Sequence, residues 1–311
     1  MSTATTVPQT QGELEGDEAV ETLRQIGTRR LVVDSITRFR AADGFSHSRA
    51  LAFQATLTLL PALIALVGLA ATLDQDSFTR VVTETVDDLA PGAAGEILTD
   101  ALRHGSASAR RESGETAVVA GFLAAMIAGA TAMAQIERGA NRLYGVERDR
   151  PFLHKYGVAT VLAFSAGIGA LLSLVVLVGG EAIREHVDWR AGLDDVWSVV
   201  RWPLGLALVI SSVALLFKLA PRRRQPDWSW LAFGAAVSAL LWLVFMGVLK
   251  LYIEAAESFG ATYGPVAGTI GILLWTFLTS IALFLGLAFA AQLEAVRAGV
   301  ERPRVDREQN D

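Results

Sequence analysis

The stretch PVAGTIGILLWTFLTSIALFLGLAFAA, residues 265–291, contains no charged side chain. The hydrocarbon core of a bilayer is about 30 Å thick, and a helix needs roughly 20 apolar residues to cross it. This stretch is long enough to do so with some tilt. Working outward from it, five more runs qualify or nearly so: about 50–73 (ALAFQATLTLLPALIALVGLAATL), 116–136, 157–180, 202–220 and 228–249. The run at 202–220 is the weakest, because its uncharged part ends at Phe217 and Lys218 has to snorkel. None alternates apolar and polar residues as a membrane barrel strand does. The pattern predicts an all-α, polytopic membrane helix bundle with six transmembrane helices.

Composition agrees. Of 311 residues, 52% are apolar and 19% charged, and mean hydropathy is +0.41. A soluble domain usually carries about 25% charge, and here the charge is concentrated between the apolar runs. A disordered chain is excluded. There are no cysteines, so no disulfide framework, thiolate metal site or cysteine nucleophile exists. The histidines His47, His104, His154 and His186 are scattered, and the net charge of −5 gives no basic field for nucleic acid. No P-loop, nucleophile elbow, dinucleotide fingerprint or metal-ligand cluster is present. The expectation is therefore no enzyme, no catalytic or metal residues, no cofactor and no nucleic-acid partner.

Lys and Arg placement sets the orientation. With a cytoplasmic N-terminus, 19 of the 27 basic residues fall inside, including the Arg222-Arg223-Arg224 cluster. Both termini are expected to be cytoplasmic in a multi-pass protein of the plasma (inner) membrane. Residues 1–28 read as a polar, solvated N-terminal tail, 29–297 as the membrane domain and 298–311 as a polar C-terminal tail. The spacing of Val32, Ile36 and Phe39 beside Arg29, Arg30, Arg38 and Arg40 predicts an amphipathic interfacial helix before the first span. Phe78, Val82, Val86 and Leu89, then Ile97, Ala101 and Leu102, then Ile183, Val187, Val196 and Val200, predict further amphipathic helices on the outer surface.

Within the spans, Trp202, Trp228 and Trp230 fit an aromatic belt, and Trp242 and Trp275 fit packing. Rows of small residues (Gly121, Ala125 and Gly129; Gly264, Gly268 and Gly286 with Ala290) allow close helix approach. No Asp, Glu, Lys or Arg lies mid-span, which argues against a proton-coupled pump or an ion channel. Gln54 and the helix-kinking Pro61 in the first span, with the Tyr263-Gly264-Pro265 turn, are candidates for a substrate path or hinge. Arg138, Asn141 and Arg142 form a candidate rim for anionic lipid head groups, against the simpler reading of a positive-inside anchor with a local ion pair.

The motifs resemble the YihY/BrkB family of inner-membrane proteins over roughly residues 30–297. They comprise Ala50-Leu51-Ala52-Phe53 leading to Leu59-Leu60-Pro61, and Asn141-Arg142-Leu143-Tyr144-Gly145-Val146. In the C-terminal third they comprise Gly234, Trp242, Tyr252, Ala261-Thr262-Tyr263-Gly264, Leu274-Trp275 and Leu285-Gly286 through Leu293-Glu294. The resemblance implies six helices in the inner membrane without a settled activity. Members have carried the label "ribonuclease BN", for which the metal ligands are missing here, or that of a virulence factor. This chain departs from the family at Gly286-Leu287-Ala288 and Ala290, where members often read Gly-Ala-Glu followed by Asn. The expected function is transport or lipid and envelope handling, with membrane lipids as partners. The rival readings are a non-transporting scaffold for envelope enzymes and, last, a membrane-associated ribonuclease. A homo-oligomer or an envelope-protein partner is compatible with either of the first two.

Overall fold

The computed structural model describes residues 4–10, 14, 16–72, 99–100, 114–177, 193–255 and 267–304. Eight helices lie in these segments: α1 (Gly16–Ile26), α2 (Thr28–Ala41), α3 (Gly44–Thr72), α4 (Gly114–Leu143), α5 (Phe152–Leu177), α6 (Leu193–Leu219), α7 (Trp228–Ala255) and α8 (Ala267–Arg297). No strand occurs among the described residues, and the one isolated bridge pairs Ala4 with Arg304. The all-α membrane bundle expected from hydropathy is what forms.

The helices begin and end where their chemistry directs. Asp17 and Glu18 occupy the first turn of α1 and Arg24 its last, matching the helix dipole. Gly27, at φ 83°, returns its N–H to the Leu23 carbonyl at 3.0 Å and turns the chain into α2. Pro61 lies within α3 without ending it, although its ring removes one hydrogen bond of the helix. A helix lies along most of every predicted span, although positions 73, 178–180 and 265–266 fall outside the described residues, and several helices overrun the apolar runs. α4 continues to Leu143 rather than stopping near 136, and α6 starts at Leu193, so Val196 and Val200 belong to it rather than to a separate surface helix. Hydropathy marks only the part of a helix that meets lipid, and hydrogen bonding carries the helix further. The other predicted surface helices (78–89, 97–102 and the part at 183–187) fall outside the described residues, apart from positions 99–100.

Consecutive helices pack on one another from α3 through α8, and α8 returns to α3, closing a ring. The starts of α3, α5 and α7 and the ends of α4, α6 and α8 meet in one polar layer, so the helices alternate up and down. Among the described residues, Val119–Leu143, Val199–Leu219, Trp228–Ile253 and Ala267–Arg297 are long and apolar enough to cross a membrane. Helices α3 and α5 run over the other two predicted spans. Large apolar side chains point away from the bundle along its length, among them Phe53, Ile127, Val161, Ile168, Leu240 and Val248. Such a continuous apolar exterior is unfavourable in water and is what a bilayer solvates.

α8 is the most enclosed helix, packing on α2, α3, α4 and α7. It meets α7 at two glycines. A Cβ on Gly234 would lie 2.8 Å from the Gly286 carbonyl, and one on Gly286 would lie 2.5 Å from the Gly234 carbonyl and collide with Ser238. Gly129 likewise faces Ala163 of α5 and Thr58 of α3. For these glycines, the small-residue rows serve packing within the chain.

Three expectations are revised. Residues 4–10 do not hang in solvent. Ala4 and Val7 are buried, Thr5 N–H donates to the Pro303 carbonyl at 3.2 Å, and Val7 N–H to the Tyr144 carbonyl at 3.1 Å. The expected stripe of α2 is divided: Phe39 is buried within the protein beside Leu31, Ser35 and Arg38, while Val32 and Ile36 are exposed, as side chains of an interfacial helix that meet lipid would be. Trp230 is fully buried rather than part of an aromatic belt, whereas Trp202 and Trp228 are exposed. Lys218 does reach the polar layer, 3.4 Å from Asp227 and 5.0 Å from the centre of the Trp228 ring.

Candidate functional site: a buried polar end and a hydroxyl seam

The polar end is built around arginines that do not face solvent. Arg38, on the last turn of α2, donates through Nε to Gln292 Oε1 at 2.7 Å. Its Nη1 donates to the carbonyls of Leu143 (3.0 Å) and Thr5 (2.8 Å). Burial pushes its pKa down to about 10, against the opposing pull of Tyr144 and Glu294, so it stays charged at neutral pH. Arg223, in the turn between α6 and α7, grips Glu294 with both Nη atoms at 2.6 and 3.1 Å, and the two side chains are 2% and 0% exposed. Its Nη2 also donates to the Pro8 carbonyl at 3.2 Å, and its guanidinium stacks 4.5 Å over the Tyr144 ring. Burial pushes the Tyr144 phenol up from its ordinary value. Gly145, at φ 71°, lets the 4–10 strap pass: a Cβ there would lie 2.6 Å from Thr6 Cα.

A second group ties the ends of α4, α5 and α6 together. Glu137 accepts from the Arg150 backbone N–H at 3.0 Å and pairs with its guanidinium at 3.1 Å. Arg150 in turn donates to the Leu219, Ala220 and Pro221 carbonyls, which end α6. Those carbonyls lack helical partners and carry the negative end of the helix dipole, so a guanidinium satisfies both needs.

The expected rim residues lie in this group. Buried Asn141 donates to Asp149 at 2.9 Å and accepts from the Arg222 N–H at 2.7 Å. Arg142 donates to the carbonyls of Val146 and Glu147 at 2.9 and 2.6 Å. Arg138, the exposed member, lies 3.7 Å from Asp149. Burial opposes ionisation of Asp149, but hydrogen bonds from Asn141 and Lys155 outweigh it and hold the carboxyl below its ordinary value.

From this end a line of polar contacts climbs between α3, α4 and α8. His47 Nδ1 and Gln135 Nε2 are 3.2 Å apart. Two turns further along α3, Gln54 Oε1 accepts from Thr131 Oγ1 of α4 at 2.9 Å, and the hydroxyls of Thr56 and Thr276 of α8 meet at 3.1 Å. Trp242 Nε1 of α7 donates to Thr279 at 3.1 Å. Gln54, read from sequence as part of a path, is thus joined to a neighbouring helix. Pro61 lies about two turns beyond it on α3, and Tyr263, Gly264 and Pro265 fall outside the described residues. Among the described residues no three His, Asp or Glu gather as metal ligands would.

The exposed apolar flanks and polar end describe a membrane bundle, and comparison with known proteins says which. The virulence factor BrkB family profile matches residues 35–310. The chain belongs to that family. BrkB relatives include a Bacillus subtilis (strain 168) protein with a provisional ribonuclease-like name, YfkH. It is 27% identical over 80% of this chain and 90% of its own length. A UPF0761 membrane protein of Chromobacterium violaceum is 29% identical over 79% of this chain, and one of Azoarcus sp. (strain BH72) is 28% identical over 86%. This chain spans 57% and 64% of the lengths of those two. No solved structure matches the chain. These names establish a membrane protein family and no enzymatic activity.

Sequence reasoning reached Asn141, Arg138 and Arg142 but missed the role of Arg38, Tyr144, Arg223, Gln292 and Glu294. Arg38 and Gln292 are 254 positions apart, and nothing local to either announces the other. The one available signal was Glu294, an acidic residue closely following the longest uncharged run.

Proposed function

We propose that this BrkB-family chain crosses the inner membrane six times with its polar end and both termini in the cytoplasm, and that it moves or presents an amphipathic envelope substrate such as a lipid. The observation that supports this most is the seam of side-chain contacts Gln54–Thr131 and Thr56–Thr276. Most hydroxyls in the spans bond back to their own helix, as Ser173 does to the Gly169 carbonyl. The hydroxyls of Thr56, Thr131 and Thr276 do so too, but each also meets a side chain of a neighbouring helix, at partly buried positions where polar groups are costly unless used. They give a polar headgroup partners between the cytoplasmic end and the membrane interior. Pro61 on α3 and the Tyr263-Gly264-Pro265 turn are the proposed moving parts. Arg138, on the outer edge of the polar end, is the proposed first contact for an anionic head group, with Asn141 and Arg142 holding the backbone beneath it. The proposal involves no cofactor, no nucleic acid and no catalytic residue.

The test is movement of fluorescently labelled phospholipid across liposomes containing the purified full chain. Wild type should accelerate movement over empty liposomes. The double variant Gln54→Leu with Thr276→Val should lose most of that acceleration while remaining folded. Wild-type liposomes no faster than empty ones would overturn the reading and favour a scaffold that recruits envelope enzymes.

A further inference from the structure

Several hydrogen-bonding atoms at the polar end are buried and have no partner: Arg38 Nη2, Arg223 Nε, the Tyr144 hydroxyl and both amide atoms of Gln225. Arg38 and Tyr144 are entirely enclosed. These atoms belong to one neighbourhood. The Arg223 guanidinium lies on the Tyr144 ring, and the Gln225 amide lies beside the Tyr144 hydroxyl without closing a good hydrogen bond. Arg38 and Arg223 are each held by a carbonyl of the same strap, Thr5 and Pro8. Three residues of extended chain span at most about 10 Å.

Nearly all of these unpartnered atoms are donors. Arg38 spends Nε and Nη1 on Gln292, Leu143 and Thr5, and Arg223 spends both Nη atoms on Glu294 and Pro8. What remains is the Nη2 amine of Arg38, the single Nε–H of Arg223, a phenol and a carboxamide. Charge is also unbalanced. Within the enclosed cluster two guanidiniums face one carboxylate, Glu294; Asp34, which also acts on Arg38, shares Arg30 at 3.7 Å with Glu301, which holds that arginine more closely at 2.6 Å. Buried donors are normally satisfied, and buried positive charge is normally matched. A tetrahedral oxyanion supplies several acceptor oxygens and negative charge, and guanidinium N–H groups donate to it strongly.

We infer that the enclosed cluster of Arg38, Tyr144, Arg223 and Gln225 is a binding site for a phosphate-class oxyanion, roofed by the strap at residues 4–10. The inference stands on the unpartnered donors and does not rest on the transport reading. The phosphate belongs either to a lipid head group or to a free anion.

The test uses purified full-length protein in detergent micelles. Thermal midpoints are followed against inorganic phosphate, and separately against short-chain phosphatidic acid, with chloride holding ionic strength constant. A phosphorus assay of the purified protein detects an anion that stays bound through purification. Wild type should show a saturable rise in midpoint with at least one of the two, or one phosphorus per chain. A response to inorganic phosphate identifies a free-anion site, and a response to phosphatidic acid alone identifies a head-group site. Tyr144→Phe removes a hydroxyl whose protein neighbour, the Gln225 amide, closes no good hydrogen bond with it, so its ligand-free midpoint should stay close to wild type. Its apparent affinity should fall about tenfold, as loss of one hydrogen bond to a charged ligand implies, or its bound phosphorus should be lost. The exposed Arg224→Ala should behave as wild type. No saturable response and no bound phosphorus, an equal response to chloride, or a Tyr144→Phe variant that binds like wild type would each overturn the inference.

Discussion

Arg223 and Glu294 show why single residues at the polar end matter. The pair is shut away from solvent, so its strength lies less in attraction than in the cost of leaving either charge alone. Glu294→Gln should lower stability by about 3–5 kcal/mol, read from reversible denaturant titration in micelles. A loss under about 1 kcal/mol, the scale of an exposed pair, would mean that water reaches the site. Asp149 makes a prediction in pH. Its folded pKa lies below the ordinary value, so ionisation stabilises the fold. That stabilisation is complete above the unfolded carboxyl pKa of about 3.9 and is lost as pH falls through the lower folded value. Asp149→Asn should therefore melt lower than wild type at pH 7, with the gap closing toward pH 3. A gap constant across that range would show that the carboxylate's charge is not what matters.

At the scale of elements, the spans were legible in the sequence because a bilayer demands long uncharged runs, and 265–291 or 228–249 has no other economical reading. Their ends were less legible. α4 gains its last turns, 136–143, from bonds that Glu137, Asn141 and Arg142 make to residues just past its end and, through Asn141, to Arg222. The same cause hid the protein-facing side of α2: the spacing of Val32, Ile36 and Phe39 marks a stripe for lipid, whereas Arg38 is buried because Gln292, Leu143 and Thr5 await it. The rim reading found Asn141 from its spacing, while Tyr144 and Arg223 needed the fold to meet. The α7–α8 crossing gives the element-scale prediction. Gly286→Ala places a methyl against Ser238 and the Gly234 carbonyl, and overpacking of this kind costs about 1–3 kcal/mol. Thermal midpoints should fall for Gly286→Ala and not for Gly247→Ala, whose Cβ meets nothing within 4 Å. Equal midpoints would place the crossing elsewhere.

Taken whole, the described residues form a ring of helices with an apolar flank and a polar end where residues 4–10 and 298–304 lie side by side. The absence of cysteine makes its placement in the membrane directly measurable. Arg224 is exposed in the turn between α6 and α7, at the polar end, and Ser106 lies in the sequence between α3 and α4, outside the described residues. Single variants Arg224→Cys and Ser106→Cys, treated in intact cells with a membrane-impermeant thiol reagent, test the account at its root. Ser106→Cys should label in intact cells, and Arg224→Cys only after the membrane is opened. Labelling of Arg224→Cys in intact cells, or recovery of the chain in the soluble fraction without detergent, would contradict it.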